Sequence, residues 1–151
     1  MEDTLTAHVH PFSNQFELME QILKLVRKQT LEKFSQGKVD LTYEQWIVMR
    51  GIQQKNGGSQ KEIAQFVRKD PASFTRILDA LENKGYIQRS VVAGNRRKYA
   101  IKLTQKGSRL LKKVLPLVST IYQKGFKGQN PAQVEAFSSQ LNILFTQLTH
   151  P

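Results

Sequence analysis

Between Thr42 and Leu103 the apolar residues change their spacing once, and that change limits the folds open to the chain. Three short helical segments come first and a strand-turn-strand run follows. Thr42-Tyr-Glu-Gln45 and Ser59-Gln-Lys-Glu62 both have capping-box spacing, in which each side chain accepts from the other residue's backbone N–H. Asp70-Pro71 marks a third start. Asp accepts from the free N–H groups of the first turn, and proline has no N–H to leave unpaired there. Trp46, Ile47, Met49 and Ile52 make the inward side of the first segment, and Ile63, Ala64, Phe66 and Val67 follow the cap of the second. In the third, Phe74, Ile77, Leu78 and Leu81 recur at i, i+3, i+4 and i+7. Lys84-Gly85 ends it. Tyr86 to Val92 and Lys98 to Leu103 then read as strands, joined through a Gly94-Asn95 turn signal into a small hairpin.

Helices flank this middle. Residues 1–11 read as a loose arm. A first helix is expected from Ser13 to Gln36, with Phe16, Met19, Ile22, Leu23, Val26 and Leu31 near helical spacing and Gly37 as a left-handed cap. Thr104 opens a fifth helix through Leu110, Leu111, Val114, Leu117, Val118 and Ile121, with a kink expected at Pro116. Asn130-Pro131 starts a sixth, carrying Val134, Phe137, Leu141, Leu144, Phe145 and Leu148 on one stripe. The expected fold is mainly α with a small β-hairpin, in three parts: 1–40 (arm and first helix), 41–103 (three helices and the hairpin) and 104–151 (the last two helices).

Hydrophobic residues make up 39% of the chain, below the usual globular share, so a partner chain is expected to complete some apolar surface. No apolar run approaches the length of a membrane span. The polar MEDTLTAHVHPF is not expected to be a secretory leader. The chain has no cysteine, which excludes disulfides, thiol redox sensing and cysteine-held zinc, and fits a cytoplasmic location.

The net charge is +11, and from Lys84 to Lys113 the basic residues recur without one Asp or Glu. Such a field calls for an anionic partner. The bland alternative is a solvated surface. The tight Arg68-Lys69-Asp70-Pro71 turn between two helices resembles a helix-turn-helix, whose second helix enters the DNA major groove. On the free face of that helix Ala72 allows close approach. Ser73 and Thr75 can bond a phosphate or base, and Arg76 can reach guanine O6 and N7. The competing reading pairs Arg76 with Asp79 in solvent. A hairpin directly after such a helix is a wing, and Arg96, Arg97 and Lys98 are placed to reach phosphate or minor groove.

These residues carry a family resemblance. The stretch SQKEIAQFVRKDPASFTRILDALENKGYIQRSVVAGNRRKYAIKLTQKG, with LTYEQWIVMRGI before it, resembles the DNA-binding core of the MarR (multiple antibiotic resistance regulator) family. The resemblance runs from Leu41 to about Leu111 and rests elsewhere on helix layout. It implies a winged helix-turn-helix plus a helical dimerisation region, with 41–103 as the DNA-binding domain and 1–40 and 104–151 as the arm and dimerisation helices of a homodimer bound to double-stranded DNA at a pseudo-palindromic operator. The usual outcome is repression, commonly relieved by a small, often aromatic ligand held between dimerisation and DNA-binding regions. The family's wing usually reads Asp-Arg-Arg; here it is Asn95-Arg96-Arg97, which removes an ion-pair partner and adds one positive charge. The absence of cysteine separates the chain from the family's thiol-based peroxide sensors.

Phe16, Met19, Tyr43, Trp46 and Met49 either line a ligand cavity between the first two helices or are plain core. Arg50 either holds a carboxylate ligand or pairs with Glu44 or Glu20. No metal or cofactor is expected: His8 and His10 are too few ligands, and His150 lies at the other terminus. No phosphate loop or nucleophile–base arrangement supports an enzyme. Two readings remain, a ligand-responsive sequence reader and a winged-helix module used for protein contacts or non-specific nucleoid binding.

Overall fold

The computed structural model describes residues 12–92 and 95–149, with the side chains of 95–98 outside the described set. Its elements are α1 (Ser13–Gln36), α2 (Tyr43–Gln54), α3 (Gln60–Phe66), α4 (Pro71–Asn83), β1 (Ile87–Val92), β2 (Asn95–Leu103), α5 (Gln105–Gly125) and α6 (Pro131–Thr149). They fall into two compact units, Met1–Val118 and Ser119–Pro151.

In the first unit the expected caps form. Thr42 Oγ1 accepts from the Gln45 N–H at 3.1 Å while Gln45 Oε1 accepts from the Thr42 N–H at 3.1 Å. Ser59 and Glu62 do the same at 3.2 and 2.7 Å. Asp70 Oδ1 accepts from the Ser73 N–H at 2.9 Å, with Pro71 at the first helical position. Gly85 leaves α4 at φ 71°, a conformation costly for other residues, and the Tyr86 N–H returns to the Leu81 carbonyl at 2.9 Å.

The core joins all these elements. Trp46, Val48, Met49 and Ile52 of α2 pack with Ile63, with Phe74, Leu78 and Leu81 of α4, and with Ile101 of β2. Phe34 of α1 and Leu111, Val114 and Val118 of α5 complete the cluster. β1 and β2 pair antiparallel from Ile87↔Leu103 to Val91↔Tyr99, with an irregularity between Val91 and Val92. The loop before α3 also bonds to the hairpin. The Gly57 N–H donates to the Ile101 carbonyl at 3.3 Å, and the Ile101 N–H donates to the Gly58 carbonyl at 3.1 Å.

Three expectations need correction. Gly37 has φ −83°, and Lys38 takes the left-handed turn at φ 50°. Glycine at 37 instead answers a need for space, since a Cβ there would lie 3.2 Å from both Leu117 Cδ1 and the Lys33 carbonyl oxygen. On α3 Phe66 is exposed, with Lys55 Nζ 5.0 Å from its ring centroid. α3 ends at Phe66, so Ile63 and Ala64 take its core-facing positions. Val48 is fully buried although periodicity set it aside, because α2 is covered on more than one side. The second strand begins at Asn95, three residues before its apolar alternation.

In the second unit Asn130 caps α6 through a reciprocal pair with Gln133, both bonds 2.9 Å. Phe126 meets the Phe137 ring edge-on at 6.0 Å. None of α6's residues is buried.

Candidate nucleic-acid interface

The geometry of α4 follows from what holds it. Phe74, Leu78 and Leu81 fix one face into the core. Ala72, Ser73 and Arg76 are thereby left exposed near the helix start. Ala72 and Ser73 lie four and three residues before Arg76, so each shares a face with it. Among the described residues Arg76 forms no ion pair, because Asp79, its expected solvent partner, is taken by Arg89 Nη2 at 2.5 Å. Arg89 Nε also lies 3.5 Å from Glu82. The two acids on the later turns of α4 thus share one cation at the root of the hairpin, which reduces their repulsion of any polyanion alongside.

Thr75 is half-buried and committed within the fold. Its hydroxyl donates to the Pro71 carbonyl at 2.9 Å and accepts from Gln60 Nε2 at 2.9 Å. Gln60 therefore ties the start of α3 to the start of α4, a role its sequence position did not reveal. Asp70 is fully exposed, and the Ser73 N–H holds its carboxyl below the ordinary aspartate value.

The basic run is partly spent in folding. Besides Arg89, Lys84 Nζ pairs with Asp40 at 2.9 Å, Lys106 Nζ donates to the Lys84 carbonyl at 2.7 Å, and Lys113 Nζ donates to the Gly37 carbonyl at 2.7 Å. Lys102, Arg109 and Lys112 remain exposed. The β2 backbone carries Arg96, Arg97 and Lys98 at the start of the strand, while their side chains lie outside the described residues. Between α3, α4 and Tyr99 runs a groove of about 950 Å³, lined by Gln60, Ala64, Pro71 and Phe74 among others. It was not legible beforehand because its walls are distant in sequence.

The residues proposed for a ligand divide. Trp46 and Met49 belong to the core cluster, and Phe34 meets the Trp46 ring edge-on at 6.3 Å. Tyr43 and Arg50 are half-buried on α2, the Arg50 guanidinium lying 5.5 Å from the Trp46 ring centroid. Phe16 and Met19 stand on α1 outside the core cluster. The Trp46 Nε1–H is buried and meets no acceptor among the described residues. Glu44 pairs with Lys69 and Arg27, and Glu20 with Lys24, so neither alternative partner of Arg50 is used.

Among the described residues no cluster of His, Cys, Asp or Glu fits a metal ion; His8, His10 and His150 lie outside that set. No helix among them is long and apolar enough to cross a membrane.

Two helices joined by a tight turn, followed by an antiparallel hairpin, define a winged helix-turn-helix. Residues 41–99 match the MarR family model, so the chain carries a MarR-family domain. Members of that family are transcription regulators rather than enzymes. The chain is also similar to solved structures. A MarR mutant from E. coli in complex with operator DNA superposes with a TM-score of 0.77 at 22% identity, covering 94% of this chain and 99% of the other. The S. aureus MepR–DNA complex gives 0.77 at 22%, covering 87% and 94%. CouR, a transcriptional repressor bound to a 23-mer DNA duplex, gives 0.73 at 26%, covering 84% and 89%.

Proposed function

We propose that the chain is a cytoplasmic, dimeric, sequence-specific DNA-binding repressor, released from its operator by a small ligand. The observation that carries this reading is the exposed face formed by Ala72, Ser73 and Arg76 on a helix locked into the core, with both of its later acids drawn to Arg89. Residues 41–103 act as the DNA-binding domain. Arg76 reads a base edge, Ser73 bonds phosphate or base, Thr75 is held by Gln60 and Pro71 and braces the helix start, and Arg96, Arg97 and Lys98 bring charge from the wing. Residues 1–40 and 104–151 supply the dimer contacts. The exposed apolar side chains of α1 and α6 support this, because an isolated soluble chain rarely leaves such stripes uncovered. A small aromatic acid suits the ligand role. Arg50 would meet its carboxylate beside Tyr43 and Trp46, and the unsatisfied Trp46 N–H offers a donor. Phe16, Met19 and Met49 would supply apolar walls.

Selection of bound duplexes from a random library at near-physiological salt tests the reading. An enriched inverted repeat with half-sites about 34 Å apart is the expected result. Retention without enrichment would instead favour a non-specific nucleoid-type binder. No retention would sink the DNA reading and leave a protein-contact module.

A further inference from the structure

Glu44 lies in the first turn of α2 and faces two other elements at once. Its Oε1 accepts from Arg27 Nη1 of α1 at 3.0 Å. Its Oε2 accepts from Lys69 Nζ, in the turn that leads into Asp70 and α4. Lys69 and Glu44 keep only 27% and 30% of their side-chain exposure, whereas Arg27 keeps 52%. The bond nearer α4 is therefore the better shielded one, where an ion pair is less weakened by water and salt. Arg27 is held on a second side by the Tyr43 ring, 5.3 Å from its centroid. The Lys69 hydrogen bond is the main reason that the Glu44 carboxyl sits below the ordinary glutamate value of 4.5, against the opposing effect of partial burial. Glu44 is thus ionised at neutral pH.

The turn it anchors is strained. Arg68 has φ 54°, a left-handed conformation that a residue with a Cβ adopts at a cost and keeps only when its surroundings over-determine it. Backbone bonds from Arg68 N–H to the Gln65 carbonyl (3.2 Å) and from Lys69 N–H to the Ala64 carbonyl (3.0 Å) supply part of that constraint. The Lys69–Glu44 pair adds a constraint from outside the turn. Directly after it, Asp70 caps α4 through the Ser73 N–H, and the Phe74 N–H bonds to the Asp70 carbonyl at 2.9 Å.

We infer that Glu44 is a positioning residue coupling α1 to the start of α4, because one carboxylate is shared between a cation on α1 and the cation anchoring the strained turn. Displacing Arg27 leaves the carboxylate free to turn and loosens its hold on Lys69. The looser turn presents Ser73 and Arg76 less firmly. Only that last link rests on the DNA-binding reading.

The test uses the full chain with Arg27→Gln, Lys69→Gln, the double variant and Arg27→Lys. Hydrogen exchange at the Ser73 and Phe74 amides is measured on the free protein, and affinity on the selected duplex. Arg27→Gln is expected to speed exchange and weaken binding about two- to five-fold when Lys69 is present, the range of a partly exposed ion pair. With Lys69→Gln in place it should change neither, and Arg27→Lys should keep most of the wild-type behaviour. Equal effects of Arg27→Gln with and without Lys69, or no effect on exchange, would overturn the coupling. If exchange responds as expected while no duplex binds, the coupling stands and the DNA reading fails. If duplexes bind normally in every variant while exchange responds, the last link to α4 function is wrong.

Discussion

α4 and α6 are both amphipathic helices, and only one of them is covered. Phe74, Leu78 and Leu81 of α4 are wholly inaccessible to solvent, while Phe137, Leu141, Leu144, Phe145 and Leu148 of α6 are exposed by 37 to 72%. Both carry apolar residues at helical spacing. What differs is the company: α4 meets α2, α3 and β1 within one compact unit, whereas no residue of α6 is buried in the single chain. Periodicity states which side of a helix water disfavours; it does not name the covering surface.

The strongest way to expose that difference is to cut the same kind of side chain from each helix. Leu78→Ala leaves a cavity in a closed core and should cost about 2–5 kcal/mol in urea or thermal unfolding, at any protein concentration. A cost below about 1 kcal/mol would mean that α4 is not held by its core contacts. Leu141→Glu combined with Phe145→Glu should leave the unfolding of a dilute monomer nearly unchanged. It should halve the mass seen by sedimentation and reduce duplex affinity by roughly 100-fold, the loss expected when two half-sites are no longer read together. An unchanged mass would mean that something other than a second copy covers the stripe.

A smaller effect separates the covered face of α4 from its open one. Arg76→Ala should leave the melting temperature within a degree or so and relax preference at one base position per half-site by about 1–3 kcal/mol. Equal weakening on every sequence would move Arg76 from base edge to phosphate.

The same contrast explains what could be read from the chain alone. Thr42, Ser59, Asp70-Pro71, Gly85 and Asn130 mark their helix ends by chemistry confined to four or five residues, and each is used where expected. Partners far along the chain were not legible. Arg89 looked like part of an unbroken cationic field until Asp79 and Glu82 came round to meet it. Lys84 finds Asp40 44 residues away. Thr75 looked free, yet Gln60 reaches it from the preceding helix. Gly37 was rightly placed at a helix end for the wrong reason, because the Leu117 side chain that crowds it comes from α5. Of the candidate interface, the helix and its exposed start were visible in the sequence. The pairing of both acids with Arg89 and the groove beside Tyr99 required the fold.

The least disruptive comparison uses the one device that both regions share. Thr42 with Gln45 and Asn130 with Gln133 make the same reciprocal cap, at 3.1 Å and 2.9 Å respectively. Thr42→Ala should cost about 1 kcal/mol, because α2 unfolds with the core it helps to build. Asn130→Ala removes an equivalent bond from a helix that no neighbour in the chain buries. In dilute solution α6 should fray locally, with loss of helical signal and no shift in the main transition. At concentrations that favour assembly, the same substitution should lower the transition, because covering the stripe then requires an ordered α6. Equal shifts for the two caps at every concentration would make α6 part of one cooperative unit with the core, and its exposed stripe would no longer measure independence.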